Sequence, residues 1–153
     1  MANTTAQSVA TYLLWFSNEH GDLLTNLKLQ KLVYYAQAWY LALERESLFD
    51  DEIQAWVHGP VIPAVYRAYR DFKWSPILVE VDKPNLPPKI EEHLADVMAE
   101  YGGFSAYDLE RMTHSELPWL EARGGIPADE SSNAPISQDT MAHFYRKCAE
   151  ASN

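Results

Sequence analysis

A chain of 153 residues, 47% hydrophobic and 22% charged, has ordinary single-domain size and enough apolar material for a core without a metal or disulfide staple. Its one cysteine, Cys148, excludes an internal disulfide and falls short of a structural zinc site. A formal net charge of −10 argues against nucleic acid as the partner, because that affinity comes from Lys and Arg displacing the counterions of a polyanion.

The N-terminal stretch MANTTAQSVATYLLWF lacks the basic segment of a signal peptide. No apolar run approaches the ~18–20 residues that span a bilayer. A cytoplasmic protein without a membrane partner is therefore expected. Thr4 and Gln7 have the form of a capping box, opening a first helix along Val9, Leu13 and Phe16 that Gly21 closes. Thr25 or Asn26 caps a second helix reaching about Glu44. Leu29, Leu32, Val33, Ala36, Trp39, Tyr40 and Leu43 cover so wide an arc of it that it reads as buried on most sides. Leu48 to Asp51 reads as a turn.

Ile53 to Val57 reads as a short strand that ends at His58-Gly59-Pro60. Pro63 fits the first turn of a third helix, with Val65, Tyr66, Tyr69 and Phe72 on its inner face. Pro76 to Val81 is a second strand candidate, placed to pair with Ile53–Val57, and Asp82 to Pro88 is an extended connector. Ile90, Leu94, Val97 and Tyr101 mark an amphipathic helix ended by Gly102-Gly103. Ser105 caps a short helix through Met112. Pro118-Trp119 begins another, capped by Thr113 or Ser115 and ending before Gly124-Gly125. After a loop to Asn133, Ser137 caps the last helix, with Asp139 in its first turn and Arg146 and Lys147 in its last. The sum predicts a mainly α fold: one compact helical domain over residues 1–153 with a short two-stranded β element.

Little here suggests catalysis. His20, His58, His93, His114 and His143 form no HExxH pair or other metal spacing, and there is no phosphate loop, dinucleotide fingerprint or GxSxG elbow. No catalytic residue, metal ligand or cofactor is expected, and the chain reads as a non-enzyme. Two places stand out instead. His58-Gly59-Pro60-Val61-Ile62-Pro63 fixes a tight backbone path, where glycine serves a positive φ or the close approach of another segment. Thr113-His114-Ser115-Glu116-Leu117-Pro118-Trp119 is a second Gly/Pro-type corner with a large aromatic anchor.

Three blocks, LKLQKLVYYAQAWYLAL (27–43), LFDDEIQAWVHGPVIPAVYRAY (48–69) and THSELPW (113–119), resemble the Panacea domain, a family of SocA-like antitoxins and phage-associated proteins of the GepA type. They keep the family's order and spacing, and the resemblance runs from about Leu14 to Phe144. Ala38 stands where many members carry glycine. The resemblance implies an antitoxin of a type II-like toxin–antitoxin system that neutralises a cognate toxin by direct protein contact, or by delivering it to a protease. It leaves no room for the N-terminal DNA-binding domain that some members carry. Self-association is left open, and the alternative class is a phage- or plasmid-associated regulator that binds DNA.

An antitoxin needs a rigid, electrostatically biased face, and the two corners supply one. The partner-binding set expected from the sequence is Asp51, Glu52, His58, Gly59, Pro60, Tyr66, Tyr69, His114, Glu116 and Trp119. Tyr and Trp there would act as hot spots. Acidic neighbours such as Asp50, Glu110 and Glu121 would quicken encounter with a basic toxin surface. The competing expectation places the three aromatics in the core.

Overall fold

The computed structural model describes residues 2–152. Its helices are α1 (Ala6–Glu19), α2 (Asn26–Glu44), α3 (Pro63–Tyr69), α4 (Pro88–Tyr101), α5 (Ala106–His114), α6 (Leu117–Arg123) and α7 (Gln138–Ala151). One hairpin, β1 (Gln54–Trp56) and β2 (Gly59–Val61), lies between α2 and α3. This is the mainly α fold with a two-stranded element that the sequence predicts.

α1, α3, α4, α5, α7 and β2 all lie against α2, and α7 covers it most broadly. Thr25 caps α2 by accepting from the Lys28 N–H at 3.2 Å, and Arg45 ends it in the left-handed conformation. Most of the apolar arc is buried, with Trp39 half-buried and Leu43 turned to solvent. Four polar side chains of α2 are buried with it: Asn26, Gln30, Lys31 and Gln37. Three of them serve the chain that follows. Gln37 accepts from the Leu48 N–H at 2.8 Å and donates to the Phe49 carbonyl at 2.7 Å. Gln30 accepts from the Ile62 N–H at 2.9 Å, and Asn26 donates to the Tyr66 carbonyl at 3.2 Å. Buried backbone groups need partners. These amides provide them, so Leu48 and Phe49 enter the core without regular structure.

The hairpin differs from the expected pairing. Ile53–Val57 does contain a strand, but its partner is the Gly59–Val61 segment, not Pro76–Val81. The turn is only Val57-His58, and Gly59 adopts φ +115°, which an L side chain rarely reaches. Pro60 lies opposite Ala55, whose N–H points the other way, to the Ala134 carbonyl at 2.9 Å. Pro60 is thus asked for no ladder bond, and its missing N–H costs nothing there. Pro76–Val81 instead runs irregularly beside the α1–α2 connection, where the Ile77 N–H donates to the Leu24 carbonyl at 2.7 Å.

Several helix ends also differ from expectation. Thr5, not Thr4, caps α1, accepting from the Ser8 N–H at 3.1 Å. Thr113 and Ser115 do not cap α6. Their hydroxyls donate back to the Glu110 and Met112 carbonyls of α5, leaving Glu116 at the start of α6 without a capping bond. α7 continues to Ala151, so Arg146 and Lys147 precede its last turn. Arg146 instead donates Nε to the Ala42 carbonyl at 3.3 Å, near the end of α2, where helix carbonyls lack partners.

Candidate functional site

The two corners singled out in the sequence meet. His58-Gly59-Pro60 forms the turn and far strand of the hairpin, and it rests on the α5–α6 junction that carries His114, Glu116 and Trp119. A Cβ on Gly59 would stand 3.1 Å from Thr113 Oγ1 and 3.2 Å from Lys31 Cε, so the space is tight, and φ +115° favours glycine besides. His58 Nδ1 lies 3.0 Å from Glu110 Oε1 on α5. Trp119 is buried and donates its indole N–H to the Trp56 carbonyl at 2.9 Å. The His114 ring stacks on Trp119 at 3.9 Å, and the Arg123 guanidinium lies 4.8 Å from the same indole.

Arg123 is itself buried. It donates to the Ala55 carbonyl at 3.1 Å and the Pro127 carbonyl at 2.8 Å, and it also reaches the Glu130 carbonyl. The hairpin is therefore held from behind at two successive carbonyls, those of Ala55 and Trp56. Beneath Gly59 the Lys31 side chain is wholly buried, with its ammonium donating to the Leu27 carbonyl at 3.2 Å. Burial pulls its pKa down to about 8 against the opposing pull of the Glu110 carboxylate. Burial also lowers the pKa of His114.

In front of the hairpin is a cavity of about 620 Å³. Trp56, Val57 and His58 of the hairpin form one wall, and Tyr66, Arg70, Lys73 and Trp74 form another. The start of α2 and the segment 131–133 complete it. Trp56 and Tyr66 meet edge to face at 4.9 Å, and His58 and Trp74 at 6.0 Å.

The structure thus brings His58, Gly59, Pro60, Tyr66, His114 and Trp119 into one assembly. Glu52 stays exposed at its edge, accepting from Gln54 at 2.8 Å, while Gln54 accepts from the Trp56 indole at 2.8 Å. The other expected residues lie elsewhere. Asp51 accepts from the Ala6 N–H at 3.1 Å, which spends its charge on the first turn of α1. Tyr69 turns to α1, accepting from Gln7 at 2.8 Å. Glu116 points inward. Its Oε1 accepts from the Tyr35 hydroxyl at 2.7 Å and the Tyr145 hydroxyl at 2.8 Å, and Tyr145 in turn meets the Tyr34 hydroxyl at 3.0 Å.

This tyrosine cluster joins α2, α6 and α7. Burial raises the Glu116 pKa, and the two hydroxyls oppose that rise. Removing an acceptor shared by two part-buried hydroxyls costs the desolvation of both. Glu116→Ala is expected to lose about 2–3 kcal/mol of stability. Glu116→Gln keeps an oxygen for both hydroxyls and removes the buried charge, so it should stay within about 1 kcal/mol of the parent. Urea unfolding at pH 7 separates the two; equal losses would mean that the charge, not the acceptor, holds the cluster.

Trp56, Arg70, Lys73 and Trp74 were not among the residues read from the sequence. The signal for the last three lies in RAYRDFKW, a basic and aromatic run within an acidic chain, whereas Trp56 stands in the strand segment before His58. Among the described residues no group of three or more His, Cys, Asp and Glu is placed to hold a metal ion, and no helix is long and apolar enough to cross a membrane.

Residues 29–120 match the family model described as Antitoxin SocA-like, Panacea domain. Both corners and most of the cavity wall fall within that span. The chain is similar to Antitoxin SocA of Caulobacter vibrioides (strain NA1000 / CB15N), at 31% identity over 127 residues, covering 74% of this chain and 68% of the relative. No solved structure matches it.

Proposed function

Because the chain belongs to the SocA-like Panacea domain family, we propose that it is a cytoplasmic antitoxin that neutralises a cognate toxin by direct protein contact, through the hairpin face and without catalytic turnover. The observation that carries this reading is the bracing of that face. Trp119 and Arg123 grip the carbonyls of Trp56 and Ala55, Gly59 sits in contact with α5, and His58 is tied to Glu110. A turn held this firmly loses little conformational entropy on docking, so more of the contact free energy appears as affinity. His58 and Trp74 are exposed on the same face and available to a partner.

The alternative, a DNA-binding regulator, has the net charge of −10 against it. The test is co-expression with the neighbouring reading frame. That product alone should arrest growth, and growth should return when this protein is supplied. Unchanged toxin levels in rescued cells point to blocking, and falling levels to delivery to a protease. No rescue, together with a sequence-selective gel shift on its own promoter at physiological salt, would replace the antitoxin reading by the regulator.

A further inference from the structure

The cavity in front of the hairpin has a charge opposite to that of the chain. Arg70, Lys73 and His58 line it, and no Asp or Glu does, although the chain carries 22 acidic residues. Neither Arg70 nor Lys73 forms an ion pair among the described residues. Glu110 on α5 is paired with His58. The start of α2, at Asn26 and Leu27, opens on the same space and adds the positive end of a 19-residue helix.

The remaining walls are aromatic. Trp56 is fixed by its bond to Gln54 and packs against Tyr66, whereas Trp74 is 70% exposed. An exposed tryptophan lining the same cavity as two cations without ion-pair partners among the described residues is typical of a hot spot. Lys73 holds φ +53°, a backbone region that side chains other than glycine rarely occupy. Such strain gathers at binding sites, where the position of one side chain matters more than local stability.

We infer that this cavity receives an acidic segment of the protein partner, in which a Glu or Asp carboxylate adjoins an aromatic or long aliphatic side chain. The carboxylate pairs with Arg70 and Lys73, and the neighbouring side chain lies between Trp74, Tyr66 and Trp56. About 620 Å³ suits this, since sites that take up small ligands or a few side chains run ~300–1,000 Å³. A peptide fits better than a nucleotide. The lining contains no glycine, and phosphate cradles depend on backbone N–H groups brought close by glycine-rich loops. The inference rests on the antitoxin reading and gives its partner a chemistry opposite to the basic surface that the acidic composition suggested.

The test has two arms. In the first, the toxin is co-expressed with the parent protein, with Arg70→Glu/Lys73→Glu, with Trp74→Ala, and with a control reversal elsewhere, Arg111→Glu/Lys147→Glu. Arg70, Lys73, Trp74, Arg111 and Lys147 are all exposed, so the variants should keep the parent's circular dichroism and melting point. Both cavity variants should bind toxin at least tenfold more weakly and lose rescue, while the control stays within about twofold, on the scale of hot-spot against rim substitutions. Cavity variants that rescue like the parent overturn the inference and leave the antitoxin reading intact. A parent that fails to rescue overturns the antitoxin reading, and the second arm then decides the cavity by itself.

In that arm tryptophan fluorescence is followed while acetyl-Asp-Glu-Phe-Glu-amide, its Asn/Gln analogue, or GTP is added. The acidic peptide should give a saturable change that Trp74→Ala and Arg70→Glu/Lys73→Glu both lack, and the neutral analogue should give none. A response to GTP without one to the peptide would overturn the inference in favour of a nucleotide.

Discussion

Replacing Trp119 by alanine should lower stability by about 3–5 kcal/mol, the range for deleting a buried large aromatic. For a chain of this length that is a fall in Tm of roughly 6–20 °C. Three losses act together. The buried ring leaves a cavity, the Trp56 carbonyl loses its indole donor, and His114 and Arg123 lose the surface they lie against. The hairpin should loosen with it, because one of its two rear attachments is gone. Rescue from the toxin should therefore fall further than the amount of folded protein does. Trp119→Phe supplies a check, since it restores most of the packing but not the N–H. It should recover most of the melting temperature while hydrogen exchange in the hairpin stays faster than in the parent. A Trp119→Ala protein that melts within about 2 °C of the parent would show that the ring carries little of this assembly.

Replacing Lys31 by methionine should act in the opposite direction. The folded protein holds the Lys31 pKa near 8, whereas the unfolded chain has it at 10.5. Below pH 8 the group is charged in both states, so the full cost of holding that charge in the folded interior is present there. As pH rises from 8 towards 10.5 that cost disappears, because the group becomes neutral in both states. Each pKa unit is ~1.4 kcal/mol. Lys31→Met, which keeps the side chain's length and removes the charge, should therefore gain about 2–3 kcal/mol at pH 7 and less than about 1 kcal/mol at pH 10. Urea unfolding of both proteins at the two pH values reads the difference. A gain of equal size at pH 7 and pH 10 would mean that packing, not ionisation, is responsible.

The central helix was legible because its signals are local. The Thr25 cap and a wide apolar arc lie within one stretch of chain and need nothing distant to be recognised. Its polar work was not legible. Nothing local marks Gln30 as buried; what places it is the Ile62 N–H, 32 residues on, which needs its acceptor. The hairpin partner was missed for a related reason. Pro60 looks like a strand breaker unless one knows that Ala55 gives its N–H to Ala134 on the other side. At the site, Gly59 and Pro60 marked one corner and Pro118 the other, since those residues are largely used to fix backbone paths. That the corners touch is a tertiary fact, visible in the 3.1 Å between Thr113 Oγ1 and the position of a Gly59 Cβ. Glu116 was read as surface charge because nothing nearby in sequence announces the two tyrosine hydroxyls, 29 and 81 residues away, that it accepts from. The cavity was hidden by the average, because a net charge of −10 says nothing about where the few cations gather.

The broad seam between α2 and α7 has a consequence for how the protein comes into being. α2 is made early and α7 late, with residues 45–137 between them. During synthesis, at ~5–20 residues per second, Tyr34 and Tyr35 have no Tyr145 to meet until the final helix has left the ribosome. Until then the central helix has no cover on its widest side. A message broken before Ser137, or a ribosome stalled there, releases a chain whose central helix lacks its broadest cover and is more open to chaperones and proteases on that side. Only a chain synthesised through the α7 segment can bury Tyr34 and Tyr35 against Tyr145, so closure of this seam reports on synthesis past Ser137.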